Sequence, residues 1–137
     1  MPEVMQGRCA CQAVTVTIPR KPDYINFCNC GLCRKSGGAW GYFEADEVTV
    51  EGELNGFERP DIDEVYLETQ FCPGCGSAVR WVSVPSFDST RIGVNMRLFD
   101  PAELAGIESR FPDGINWIDE RPEPRHLPLP YGDGIVF

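Results

Sequence analysis

Seven cysteines fall into three tight clusters, Cys9-Ala-Cys11, Cys28-Asn-Cys30-Gly-Leu-Cys33 and Cys72-Pro-Gly-Cys75. Thiolates one or two residues apart can close on a single metal ion with little backbone strain. Tetrahedral zinc favours such ligands, with sulfur at about 2.3 Å. Seven divides as four plus three. Four thiolates make a closed structural site; three leave one coordination position for water or substrate, as catalytic zinc requires. Zinc is the expected ion, although iron or cobalt also accept sulfur-rich sites. An odd number of cysteines cannot pair wholly in intramolecular disulfides. Residues 1–6 lack the basic start and apolar run of a secretory leader. We therefore expect a reducing, cytoplasmic setting, where thiols remain available to metal.

Strands must hold these clusters. Ala13-Val-Thr-Val-Thr-Ile18 alternates strictly, with Val14, Val16 and Ile18 on one side, and Pro19 stops it. A second short strand over 24–29 leads into the central cluster, followed by a turn or single helical turn over 34–38. Strands are expected over 39–43, 48–50 and 90–95, with Asn55-Gly56 as a turn. Residues 65–71 run into the third cluster and 78–84 run out of it. Cys72-Pro-Gly-Cys75-Gly76 is then a knuckle at a hairpin tip, where Gly74 and Gly76 permit positive φ angles. Asp100-Pro-Ala-Glu-Leu-Ala105 carries an aspartate cap and a proline at the first helical position, which predicts one short helix. A strand is expected over 114–118, and an extended proline-rich tail over 121–137.

The bulk properties bound the function. A chain of 137 residues suggests one domain, and 12 prolines with 14 glycines imply many turns and little long helix. No stretch is long and apolar enough to cross a bilayer. A formal charge of -9 argues against nucleic acid as partner, because phosphate binding needs a basic surface. The only histidine, His126, lies in the proline-rich tail, so a nucleophilic triad has little support. The oligomeric state is not encoded in any visible pattern.

Spacing alone allows two partitions of the cysteines. Cys30-x-x-Cys33 with Cys72-x-x-Cys75 would resemble a zinc ribbon but strands Cys9, Cys11 and Cys28. Joining Cys9, Cys11, Cys72 and Cys75 instead leaves Cys28, Cys30 and Cys33 as an open set, and uses all seven.

The combined pattern Gly7-Arg-Cys-Ala-Cys11, Cys28-Asn-Cys30-Gly-Leu-Cys33-Arg34 and Phe71-Cys72-Pro-Gly-Cys75-Gly-Ser77 resembles the glutathione-dependent formaldehyde-activating enzyme family, also called the centromere-protein-V family. The resemblance spans about residues 5–95. The run Gly37-Gly-Ala-Trp-Gly-Tyr-Phe43 also fits, as does Ile115-Asn-Trp-Ile-Asp-Glu-Arg-Pro122, although Pro124-Arg125 stands where the family carries a further tryptophan. The resemblance implies a mostly β, zinc-stapled antiparallel fold of the β-tent type with short helical turns. It implies structural zinc on Cys9, Cys11, Cys72 and Cys75 and catalytic zinc on Cys28, Cys30 and Cys33, hence two zinc ions per chain. It also implies a carbon–sulfur lyase-type activity that forms S-hydroxymethylglutathione from formaldehyde and glutathione.

The expected substrate is a small thiol or thiol adduct, glutathione among them; the net acidity favours a less charged thiol. A zinc-stapled binding module without catalysis is the alternative. Arg34 is the candidate for docking a substrate carboxylate or neutralising thiolate charge, with Lys35 and Arg8 behind it; ordinary surface charge is the competing reading. Trp40, Tyr42 and Phe43 are expected in the core, with a pocket wall as alternative. Glu44 and Asp46 are expected as exposed turn carboxylates.

Overall fold

The computed structural model of the protein describes residues 4–112 and 114. The alternating segment forms β2 (Thr15–Ile18), with Val16 and Ile18 fully buried and the threonines facing outward. On one side it pairs antiparallel with β1 (Met5–Arg8), placing Met5 opposite Ile18 and Gly7 opposite Val16. On the other it pairs with β5 (Thr49–Glu51), placing Val16 opposite Val50. β1 carried no signal as a strand, because one of its two inward positions is Gly7 and the alternation of apolar side chains is missing.

The second sheet has seven strands in the order β10-β3-β4-β9-β8-β7-β6. These are β3 (Tyr24–Asn26), β4 (Trp40–Glu44), β6 (Asn55–Phe57), β7 (Leu67–Phe71), β8 (Ala78–Ser83), β9 (Arg91–Asn95) and β10 (Glu108–Arg110). Neighbours are antiparallel except β10, a polar edge strand that joins β3 in parallel. One face packs on the small sheet: Ile25, Phe43, Ile92 and Val94 meet Val14, Val16, Ile18, Met96 and Phe99 in one buried cluster. Burial of each such side chain contributes about 1.5–3 kcal/mol relative to exposure.

The other face has a different character. Asn26 lies opposite Trp40, Tyr42 opposite Gly93, Gly93 opposite Trp81, and Trp81 opposite Thr69. Directly opposed residues project from the same side of a sheet, so these form one continuous surface. Tyr42 packs at a tilt on Trp81 (centroids 5.8 Å apart) and on Tyr24 (5.6 Å). Only glycine at position 93 lets the Trp81 indole lie flat across the neighbouring strand, since any Cβ there would collide with the ring.

The architecture is the mostly β, cysteine-stapled one expected, with local differences. The helical turn near residue 34 begins earlier, as α1 (Gly31–Ser36), because Cys30 caps it: the Cys30 Sγ accepts the backbone N–H of Cys33. Asn55-Gly56 is not a turn but part of edge strand β6. The chain bends before it, at Gly52 with φ 113°, and Gly56 leaves room for the Glu68 side chain to lie across the strand. The segment after Asp100 is a 3-10 helix over Pro101–Leu104; Asp100 accepts the backbone N–H of Ala102 at 2.9 Å, as a cap should. Of the two knuckle glycines, Gly76 has positive φ, whereas Gly74 does not and instead lies beside the sulfurs of Cys11 and Cys72. The strand expected over 114–118 and the tail over 121–137 fall outside the described residues, apart from Gly114. No helix among the described residues is long and apolar enough to cross a membrane.

Buried Asn95 ties these pieces together. Its Oδ1 accepts the N–H of Ala39 (3.2 Å) and of Arg97 (3.1 Å), and its Nδ2 donates to the Ala78 carbonyl (2.8 Å). It thereby fixes the entry to β4 after the central cysteines and the exit from the Cys72–Cys75 knuckle. Asn95→Ala removes three bonds and leaves buried backbone groups unpaired, which should cost about 2–4 kcal/mol. A urea midpoint for the metal-loaded variant indistinguishable from wild type would refute this role.

Candidate functional site

The first thiol set joins two distant parts of the chain. Cys9 and Cys11 follow β1; Cys72 and Cys75 lie between β7 and β8. All four Sγ atoms lie within 4.8 Å of one another, with Cys9 to Cys11 at 3.7 Å and Cys11 to Cys72 at 3.6 Å. Four sulfurs at about 2.3 Å from a tetrahedral zinc sit about 3.8 Å apart, so the donor set fits that ion. Backbone and hydroxyl groups converge on the sulfurs: Val14 N–H donates to Cys9 Sγ (3.3 Å), and Ser77 Oγ lies 3.3 Å from Cys75 Sγ. Ser77 Oγ also accepts the Ala10 N–H, linking the two knuckles directly. Burial opposes charge on Cys9, but the Val14 N–H and the Cys11 thiol outweigh it and lower its pKa. Ser77 brings Cys75 down to about 5. Cys11 gains from the Ala13 N–H, yet crowding by Cys72, Cys9 and Cys75 pushes it up to about 11. Four such thiols favour the thiolate form together only around a cation.

The second set is local. Cys28, Cys30 and Cys33 span the loop after β3 and the first turn of α1, with all three Sγ within 4.8 Å. Cys30 N–H donates to Cys28 Sγ and Cys33 N–H to Cys30 Sγ. Negative charge gathers on Cys30, held down to about 2 by the thiols of Cys28 and Cys33, while Cys30 raises Cys28 and both Cys28 and Cys30 raise Cys33. Gly114 closes against this loop; a side chain there would run into the Cys28 sulfur.

These three sulfurs open into a cavity of about 910 Å³ on the aromatic face of the large sheet. Trp40, Tyr42 and Trp81 line it from the sheet, and Arg59, Ile62 and Tyr66 line it from the loop between β6 and β7. Among the described residues, four charged side chains line it: Arg34, Arg59, Arg91 and Asp61. Among the described residues, three arginines thus stand beside one carboxylate and the three thiols, in a chain of net charge -9. Arg59 grips Asp61 through two bonds of 2.8 Å, and its guanidinium pKa is raised by Asp61 first and by Cys30 as well. Arg91 stacks 4.1 Å over the Tyr42 ring and donates to the Tyr24 hydroxyl at 3.1 Å.

Each site residue expected from sequence can now be placed. The seven cysteines separate into the four and the three. Arg34 lines the cavity, with its Nε donating to the Asn29 carbonyl at 2.9 Å, so it also braces the cysteine loop. Lys35 and Arg8 are not on the wall of this cavity. Phe43 is core, whereas Trp40 is both buried and part of the cavity wall, and Tyr42 lies on that wall. Glu44 and Asp46 are exposed, and Glu44 accepts a bond from Thr90. Sequence reading missed Arg59, Arg91, Asn26 and Gly114. None sits in a motif; the loop packing and strand register bring them to the site.

Fold and site together define a class: a two-sheet β protein with one closed four-thiol set and one three-thiol set open to a cavity. Residues 4–111 match the family of the glutathione-dependent formaldehyde-activating enzyme, and the chain belongs to that family. A relative from Halomonas elongata, described as a putative glutathione-dependent formaldehyde-activating enzyme, is 34% identical over 91 residues, covering 60% of this chain. The match takes in 57% of that relative's length, so the chain corresponds to little more than half of it. A crystal structure of a Rhodobacter sphaeroides protein, a structural-genomics target, shares the fold at a TM-score of 0.59 and 21% identity, covering 77% of this chain and 99% of the other.

Proposed function

We propose that the protein is a zinc-dependent enzyme of the carbon–sulfur lyase type, which joins formaldehyde to the thiol of glutathione or a similar small thiol and reverses that addition. Cys9, Cys11, Cys72 and Cys75 hold structural zinc; Cys28, Cys30 and Cys33 hold the catalytic ion. The observation that carries the reading is the placement of a three-thiol set, one ligand short of a closed site, on the wall of a cavity of about 910 Å³. Zinc held by those thiolates would supply the positive charge that lowers the pKa of a substrate thiol near neutral pH.

The chain's own residues then position the reactants. Trp40, Tyr42 and Trp81 present a rigid apolar wall that excludes water from the thiol. Arg34 and Arg91 supply positive charge for the carboxylates of an anionic thiol such as glutathione, and Arg59 keeps a cation beside Cys30. In the forward direction the sulfur forms a bond to the aldehyde carbon, the carbonyl π pair moves to oxygen, and the oxygen gains a proton while the thiol loses one. Holding thiol and aldehyde together converts a bimolecular addition into an effectively unimolecular one.

Elemental analysis of reduced, gel-filtered protein should find about two zinc ions per chain, one for each thiol set. The same sample should accelerate the appearance of the hydroxymethyl adduct from glutathione and formaldehyde, followed by proton NMR. One zinc per chain with no acceleration would leave a zinc-stapled binding module and defeat the enzymatic reading.

A further inference from the structure

Five large hydrophobic side chains stand exposed among the described residues: Val4, Phe57, Ile62, Tyr66 and Phe87. Single exposed hydrophobic residues are ordinary, but a group of them around a cavity marks a ligand site. Ile62 (40% exposed) and Tyr66 (43% exposed) line the cavity that holds Cys28, Cys30 and Cys33. Phe87 packs edge-on against Tyr66, with ring centroids 5.0 Å apart. Phe57 lines a neighbouring cavity of about 480 Å³, which shares Leu32, Arg59 and Asp61 with the larger one. Of the five, Val4 alone has no part in this grouping.

The chain leading into β7 is sorted by the same cavity. From position 62 to 67 it reads Ile-Asp-Glu-Val-Tyr-Leu. All four apolar residues, Ile62, Val65, Tyr66 and Leu67, line the cavity, whereas Asp63 and Glu64 are exposed and do not. The segment is braced at both ends. Arg59 grips Asp61 at its start, and the Val84 N–H donates to the Tyr66 carbonyl at 2.9 Å near its end. From β8, Trp81 lines the cavity as well. Apolar surface held open in this way favours an apolar ligand, which would remove it from water. Formaldehyde has a single carbon, and glutathione presents mainly charged and amide groups, so neither makes use of these side chains. The volume of about 910 Å³ lies within the range of sites that enclose whole drug-sized molecules, about 300–1,000 Å³.

We infer that the substrate of this site is a thiol–aldehyde adduct carrying an alkyl or aryl group, which Ile62, Val65, Tyr66 and Leu67 bind together with Trp81. The inference rests on the functional reading above and specifies its substrate class. The group sits on the aldehyde carbon or on the thiol; either source presents the same hydrocarbon to the cavity. The covalent step keeps its balance. The sulfur lone pair becomes the C–S bond, the carbonyl π pair moves to oxygen, and the oxygen gains a proton as the thiol loses one. No oxidant or reductant takes part.

The test measures addition by the zinc-loaded protein with proton NMR, each rate divided by the uncatalysed rate for the same pair. One arm holds glutathione fixed and varies the aldehyde from formaldehyde through propanal to pentanal. The other holds formaldehyde fixed and compares 3-mercaptopropanoate with 6-mercaptohexanoate. We expect the acceleration to grow roughly two- to fourfold per added methylene in one arm, which identifies the half that carries the group. Ile62→Ser and Tyr66→Ser should each shrink that dependence, drawing the ratio of the longest to the shortest substrate toward one. If formaldehyde and glutathione are accelerated but neither arm rises with chain length, the inference is overturned and the functional reading stands. Full chain-length dependence in both serine variants also overturns it. If no pair is accelerated, the functional reading fails, and this inference with it.

Discussion

Cys30→Ser should give a folded protein that has lost turnover by roughly 1000-fold or more. Serine is a poor zinc ligand at neutral pH, because its hydroxyl does not ionise as a thiol does, and removing one of three ligands takes away an electrostatic contribution of several kcal/mol. The same substitution is gentle to the fold. Cys30 Sγ caps α1 by accepting the Cys33 N–H, and serine is among the preferred residues for that duty. The loop keeps its other braces, including Arg34 to the Asn29 carbonyl. Thermal unfolding by circular dichroism should therefore stay close to wild type, while zinc content falls by one ion and adduct formation drops to the solution rate. A Cys30→Ser protein with full turnover would remove Cys30 from the catalytic set.

Cys72→Ser should behave in the opposite manner, destroying the fold. Cys72 is 1% exposed and belongs to the thiol set that connects β1 and β2 with the β7–β8 hairpin, across 61 residues between Cys11 and Cys72. Structural zinc contributes on the order of 10 kcal/mol to folding in small metal-bound units, comparable with the whole stability of a domain at about 5–15 kcal/mol. The substitution also leaves a hydroxyl buried where a sulfur stood. We expect insoluble or non-cooperatively melting protein with little bound zinc. Chelation of the wild type under reducing conditions should reproduce that state. A Cys72→Ser variant that melts cooperatively within a few degrees of wild type would show that the four-thiol set is not a structural staple.

The two substitutions exchange the same atoms and differ only in where the sulfur sits. Spacing made both thiol sets visible as candidates, since a metal ligand pair is a local feature. It did not decide their partners. Pairing Cys9 and Cys11 with Cys72 and Cys75 requires β1 and the β7–β8 hairpin to end side by side, a long-range relation that family resemblance implied and the sulfur distances show. Likewise β2 was legible because Val14, Val16 and Ile18 alternate, whereas β1 and β10 were silent: their partners, rather than their own side chains, hold them in place. Asn55-Gly56 misled because that dipeptide favours turns, and here the edge of a sheet uses the glycine for close approach by Glu68.

By itself the sequence determined that this protein clusters its thiols at spacings suited to metal, that its scaffold is short β strands, and that its net charge is acidic, because residue type, period-two burial and charge are properties of the chain read locally. Tertiary structure alone decided which thiol set meets a cavity, that the cavity is lined by Arg34, Arg59 and Arg91 in a chain of net negative charge, and that Asn26, Trp40 and Tyr42 line the same cavity as Cys28. The reason is physical: a site made by opposing one strand to another, and by folding a loop across both, depends on distances between residues far apart in the chain, and no local pattern carries them.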